Sequence, residues 1–238
     1  MVKRKTAIKI RKTHRYLGIF LGLQFILWTS SGLYFSWTDI DEIHGDQFKN
    51  ENFEPQLFND LISLNELKPA IKVGIIELRD IDDTPYYWIN EKALYNAKTG
   101  ALKTNISENE ALAVAKKNMS TEMIVANIAL ITETDSHHEY REKLLPAYVI
   151  TYENPEAVKA YVSKIDGAFQ TVRHRSWRWF DFLWMTHTMD YEGRDDFNTI
   201  ILRAFSILGL ITVFSGFLLW FTSSPTIRKI STSKKNYK

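Results

Sequence analysis

The sequence predicts an α+β protein in which a helix-and-sheet domain is held outside the membrane by two flanking transmembrane helices. Two stretches, Tyr16–Phe35 and Thr199–Phe221, are each apolar for about 20 residues or more, enough at 1.5 Å per residue to cross the roughly 30 Å hydrocarbon core of a bilayer. Every Asp and Glu lies between Asp39 and Asp196, whereas both ends are basic. The acidic middle carries runs of β-branched and aromatic residues broken by turn chemistry, and it does so twice.

Lys3, Arg4, Lys5, Lys9, Arg11, Lys12 and Arg15 precede the first apolar run, and Arg228, Lys229, Lys234, Lys235 and Lys238 follow the last. Short flanks rich in Lys and Arg stay on the cytoplasmic side. Residues 1–15 and 222–238 therefore read as cytoplasmic segments, 16–36 and 198–221 as the spans, and 37–197 as extracytoplasmic. The net charge of +2 comes from the tails, which gives a nucleic-acid partner little support. Ser30 and Gly32 are small enough to precede a signal-peptidase cut. The run is long for a signal, however, and Tyr34, Phe35 and Trp37 continue it as an aromatic belt, so an uncleaved anchor is the favoured reading.

The chain has no cysteine. That excludes disulfides, thiolate metal sites, Cys-ligated iron–sulfur clusters and covalent c-type haem. The outer domain must rest on its apolar core, for which about 140 residues suffice.

Residues 37–56 read as an acidic linker or interfacial helix, with His44 a solvated loop histidine. Leu57–Leu67 is a candidate amphipathic helix ending before Pro69. Val73–Leu78 and Tyr86–Glu91 read as strands, and Leu94–Leu102 as a strand pair around Lys98-Thr99-Gly100. A second unit follows. Ser107-Glu108-Asn109-Glu110 is a capping box opening a helix to about Asn118. Met123–Thr132, Ala147–Glu153, Val158–Ser163 and Ala168–Val172 read as strands, with Ile165-Asp166-Gly167 as a turn. Tyr86–Thr104 resembles Ala147–Thr171, and both end in a Gly-Ala pair, Gly100-Ala101 and Gly167-Ala168. Residues 57–174 thus read as two copies of a helix plus antiparallel-sheet module. In residues 175–192, Trp177, Phe180, Trp184, His187 and Tyr191 recur at helical spacing and predict an interfacial aromatic helix, followed by a turn at Gly193.

A helix followed by strands that end in Lys/Asp-x-Gly and a further strand resembles the PepSY domain, a small module of bacterial secreted and membrane proteins. Two such units between spans resemble the PepSY-associated transmembrane family, also called iron-regulated membrane proteins. The first span of that family is entered by a His and a Gly one turn later and closes in a Thr/Ser-Gly pair, here His14, Gly18 and Ser31-Gly32. The later span is preceded by a Leu-His-like element, here Met185-Thr186-His187, and closes in Ser215-Gly216-Phe217-Leu218-Leu219-Trp220. Fuller members carry four spans, and this chain has two. The resemblance implies a bacterial inner-membrane location and a haem-b electron-transfer role toward an extracytoplasmic acceptor such as a ferric chelate. It also admits a non-catalytic alternative, a tethered module that binds or restrains a peptidase.

No hydrolase, zincin, P-loop or dinucleotide signature is present. A reductase role would therefore need a separate donor, such as a cytoplasmic flavoprotein. His137-His138 reads as polar loop. His14 and His187 both abut spans, and neutral imidazole is a standard axial haem ligand. Gly18, Gly22, Thr29 and Gly32 continue the His14 face, and Ser206, Gly209, Thr212 and Gly216 form a similar face on the second span. Such faces suit either a flat macrocycle or plain helix packing. His14 and His187 lie at opposite ends of the membrane, so they cannot ligate one iron within one chain. A bis-histidine haem would need a homodimer or a partner membrane subunit. Arg203, one turn inside the second span, reads as a clamp on an anionic group such as a haem propionate, or as an arginine snorkelling toward Asp195 or Asp196.

Overall fold

The computed structural model describes residues 4–67 and 72–224. The predicted ends of both basic segments lie outside the described residues. The chain divides into two units, one formed by Thr38–Asp181 and the other by Met1–Trp37 with Phe182–Lys238.

The middle unit opens with α2 (Ile40–His44), capped by Asp39 at its N-terminus and by left-handed Gly45 at its C-terminus. Two meanders follow. β1 (Ile76–Ile81), β2 (Thr84–Ile89), β3 (Ala93–Asn96) and β4 (Leu102–Lys103) form one four-stranded antiparallel sheet. β5 (Val125–Ile131), β6 (Ala147–Tyr152), β7 (Lys159–Ser163) and β8 (Phe169–Arg173) form the other, and α3 (Glu108–Asn118) lies between them in sequence. The Ser107–Glu110 capping box forms as expected.

The sheets duplicate closely. In the first, Gly100 N donates to Asn96 O (2.8 Å) and Asn96 N to Ala101 O (2.8 Å). In the second, Gly167 N donates to Ser163 O (3.0 Å) and Ser163 N to Ala168 O (2.9 Å). Both glycines hold a positive φ, +73° and +69°, where a side chain would be strained. The helices do not duplicate. The expected helix over Leu57–Leu67 is replaced by extended chain and a single 3-10 turn at Leu64–Glu66. Asp60 takes a left-handed φ of 59°, and Ile62 N is drawn to Ala97 O at 2.9 Å instead of a helical carbonyl. The turn still carries a capping box, Ser63 with Glu66. Pro69, three residues on, lacks the N–H a longer helix would need.

One core serves both sheets. Ile81, Tyr86, Trp88 and Leu94 of the first meet Ile150, Tyr152 and Val162 of the second, with Ala111, Val114 and Ala115 of α3. A polar cluster forms elsewhere in this unit. The Glu139 carboxylate, 11% exposed, receives Arg178 Nε (2.5 Å), Tyr161 OH (2.6 Å) and Lys159 Nζ (3.0 Å). Tyr140 stacks on Tyr161 with centroids 4.6 Å apart, and the Arg173 guanidinium lies 4.0 Å over Trp177.

In the second unit, α1 (Arg4–Trp37) and α5 (Ile200–Ser223) pack against each other. Both contain segments long and apolar enough to cross a membrane. Ile19, Phe20, Phe214 and Phe217 are more than 60% exposed, an apolar surface suited to lipid rather than water. α1 begins well before the predicted span: Lys5, Ala7, Lys9 and Arg11 are good helix formers with no Pro or Gly among them. α4 (Arg175–Thr188) is shorter than predicted, and Tyr191 leaves its face for the following loop. That loop is organised by Asp190, whose carboxylate accepts the backbone N–H of Gly193 (3.0 Å) and Asp196 (2.8 Å). Burial opposes ionisation of Asp190, but these N–H bonds outweigh it and hold its pKa below the ordinary aspartate value.

Candidate functional site

The two histidines singled out in the sequence are each held by the Ser-Gly pair of another helix. His14, on α1, faces Ser215-Gly216 on α5: its Nδ1 lies 2.8 Å from Ser215 Oγ. A Cβ on Gly216 would sit 3.2 Å from His14 Cε1. His187, on α4, faces Ser31-Gly32 on α1: its Nδ1 lies 2.8 Å from Ser31 Oγ, and a Cβ on Gly32 would sit 3.4 Å from its Cε1. In both places the glycine lets the imidazole lie close to the neighbouring backbone.

The hydrogen-bond partners assign the tautomers. A serine hydroxyl has one proton to give. Ser31 Oγ donates to Trp28 O at 2.9 Å, and Ser215 Oγ donates to Thr212 O at 2.7 Å. With those protons so spent, each serine accepts from its histidine, which assigns the imidazole proton to Nδ1. Nε2 then carries the lone pair in both rings, the arrangement in which a second partner orients a metal-binding imidazole.

The surroundings of His187 are aromatic. Its ring stacks on Trp28 (4.9 Å, 15°) and meets the edge of Phe35 (5.4 Å, 74°), which in turn touches Trp184 (5.7 Å). Burial lowers the His187 pKa below the ordinary histidine value, partly offset by the Trp28 carbonyl, a shift that favours the neutral ring. His14 and Ser31 sit 17 residues apart on α1, roughly 25 Å along the axis. The two histidines therefore belong to two separate positions, as their sequence placement implied.

Other expected residues fare differently. Arg203 is exposed on α5. The anticipated pairing with Asp195 or Asp196 does not form: Asp195 receives Trp184 Nε1 at 3.2 Å, and no ion pair reaches Arg203 among the described residues. Twelve residues separate Arg203 from Ser215, roughly 18 Å along α5, too far to serve the His14 position. Among the described residues nothing lies within 4 Å of a Cβ added at Gly18, Gly22 or Gly209, so packing against those residues does not account for these glycines. His137 and His138 sit in a loop, where His138 Nδ1 accepts the Tyr140 N–H at 3.0 Å. Among the described residues no three His, Asp or Glu side chains gather as a metal site.

Three residues had no place in the candidate site as read from the sequence, Phe35 entering only as part of an aromatic belt. Trp28 and Phe35 wall His187, and nothing in an apolar run separates such residues from a lipid-facing belt. Gln24 reaches from mid-α1 to donate Nε2 to Thr186 O at 3.2 Å. A lone amide in an apolar span is visible in the sequence and was the available signal. His174, buried beside Phe48 with Nε2 3.2 Å from Ile43 O, is a core histidine whose pKa burial lowers. No family model, curated protein or solved structure matches this chain.

Proposed function

We propose that the chain is a two-span protein of the bacterial cytoplasmic membrane, of the PepSY-associated transmembrane kind. Its termini are cytoplasmic and residues 37–197 extracytoplasmic. Its role is haem-b electron transfer toward an extracytoplasmic acceptor such as a ferric chelate, with His14 and His187 as the residues that would hold the haem iron. The observation that carries this is the pair of seryl-held imidazoles, one near each end of α1, each with Nε2 left as a lone pair. Haem would supply one-electron redox chemistry.

This chain's own residues do the positioning. Ser31 and Ser215 hold the tautomers, Gly32 and Gly216 admit the rings, and Trp28 with Phe35 keeps water from His187. The open space over Gly18, one turn from His14, suits the approach of a flat group. Arg203 remains a candidate for an anionic substituent on the outer side. One histidine at each end means that bis-histidine ligation takes a second copy of the chain or a partner membrane subunit. The electron donor would be a separate cytoplasmic flavoprotein. The PepSY-like reading of the outer domain rests on its two meanders, each preceded by a Ser-x-x-Glu capping box.

The test is an absorption spectrum of the purified chain and of His187→Ala, His14→Ala and Trp184→Phe. A redox-active Soret band is expected in the parent and in Trp184→Phe, reduced in each histidine variant. If the parent has none, or both histidine variants keep it in full, the haem assignment fails and the peptidase-binding reading takes its place.

A further inference from the structure

We infer that the groove between α1 and α5 binds the headgroup of a lipid-soluble quinone or quinol. This rests on the membrane-spanning part of the reading above and is independent of haem. The groove encloses about 500 Å³, within the range of small-ligand sites. Its wall is almost wholly apolar, with Phe20 and Leu27 of α1 facing Ala204 and Phe205 of α5, and Tyr191 beside them.

One amide interrupts this wall. Gln24 also lines the groove and spends one N–H on Thr186 O. That bond fixes the orientation of the amide, since the reverse would set two oxygens together. Its second N–H and its Oε1 have no partner among the described residues. An unmet amide in hydrocarbon is costly. The two unmet atoms are complementary to both redox forms of one headgroup: the N–H to a quinone carbonyl, Oε1 to a quinol hydroxyl. The rings of Phe20 and Phe205 give a flat headgroup aromatic contact, and the apolar wall and bilayer take its alkyl tail. A phospholipid acyl chain would fill the volume but leave Gln24 unmet.

Thr186, the residue Gln24 holds, immediately precedes His187. The groove therefore adjoins the outer candidate ligand without sharing any residue with it.

The full chain in quinone-free phosphatidylcholine nanodiscs would be photolabelled with an azido-benzoquinone, with a decyl-substituted benzoquinone as competitor. Saturable labelling within residues 20–27 and 200–208 is expected, at about one probe per chain. Gln24→Leu, close in volume but unable to hydrogen-bond, should weaken the competitor at least tenfold. Ala204→Phe should block the groove and remove labelling. Labelling that does not saturate, spreads evenly over both lipid-facing helices, or survives unchanged in both variants would overturn the inference. His187→Ala separates the two assignments. Kept labelling with a reduced Soret band in His187→Ala supports both assignments as independent, kept labelling in a parent without a Soret band supports the groove alone, and a kept Soret band with no labelling in the parent sinks the groove alone.

Discussion

Glu139→Gln should remove a defined part of the acid sensitivity of this protein. Burial alone would raise the Glu139 pKa, but the Arg178 and Tyr161 hydrogen bonds, the Arg178 charge and Lys159 overcome it and pull the value from 4.5 to about 2. At about 1.4 kcal/mol per tenfold in proton affinity, that gap corresponds to about 3 kcal/mol of stability. The sign follows from the depressed folded value. Above the unfolded value of 4.5 the contribution is fully present, and it is lost as pH falls through about 2. The carboxylate is only 11% exposed, so solvent screens it little, whereas Lys159 and Arg178 are 38% and 33% exposed. These cations can turn to water when the charge is removed, so the full 3–5 kcal/mol penalty of a broken buried pair should not appear. About 2–3 kcal/mol at pH 7 is expected. Urea unfolding of the full chain in detergent micelles, followed by near-ultraviolet circular dichroism, measures this from pH 7 to pH 2. The parent should lose about 3 kcal/mol more than the variant between pH 5 and pH 2, the two curves converging at the acid end. The exposed Glu122→Gln is the control. Parallel curves for the parent and Glu139→Gln would refute the account.

Two further expectations concern the hairpin glycines and the histidines. Gly167→Ala combines a left-handed backbone, about 1–2 kcal/mol, with a Cβ only 2.5 Å from buried Ile81 Cδ1, about 1–3 kcal/mol of overpacking. Gly100→Ala meets the movable end of Ile62 at 3.0 Å and Leu67 Cδ2 at an ordinary 3.7 Å and should cost the backbone term alone. Equal losses by urea unfolding would discount the inter-sheet contact. At pH 9, well above the histidine range, nitrogen-15 spectra should show His14 and His187 with the proton on Nδ1. Ser215→Ala should perturb the His14 signal only and Ser31→Ala the His187 signal only; a proton on Nε2 in the parent would refute the serine-acceptor assignment.

The sequence by itself determined what depends on local pattern. The two apolar runs, the Ser107–Glu110 box and the Gly-Ala hairpin ends each follow from composition and short-range spacing, and the structure forms all of them. The cap and the turns are closed by residues within a few positions of one another, so their chemistry is local. The helix expected over Leu57–Leu67 failed because the competitor was distant: Ala97 O and Tyr87 OH engage Ile62, and a helical period cannot reveal a partner on another strand. The same limit applies to the candidate site. His14, His187 and both Ser-Gly pairs were visible as motifs, but each was read along its own helix. The pairing is crossed, His14 with Ser215-Gly216 of α5 and His187 with Ser31-Gly32 of α1. Only the antiparallel packing of α1 and α5 brings Ser215 to His14, and only the placement of α4 against α1 brings Ser31 to His187. Tertiary structure decided the tautomers too, because they depend on Ser31 and Ser215 spending their protons on Trp28 O and Thr212 O. A hydroxyl written in a sequence does not say which of its neighbours it faces.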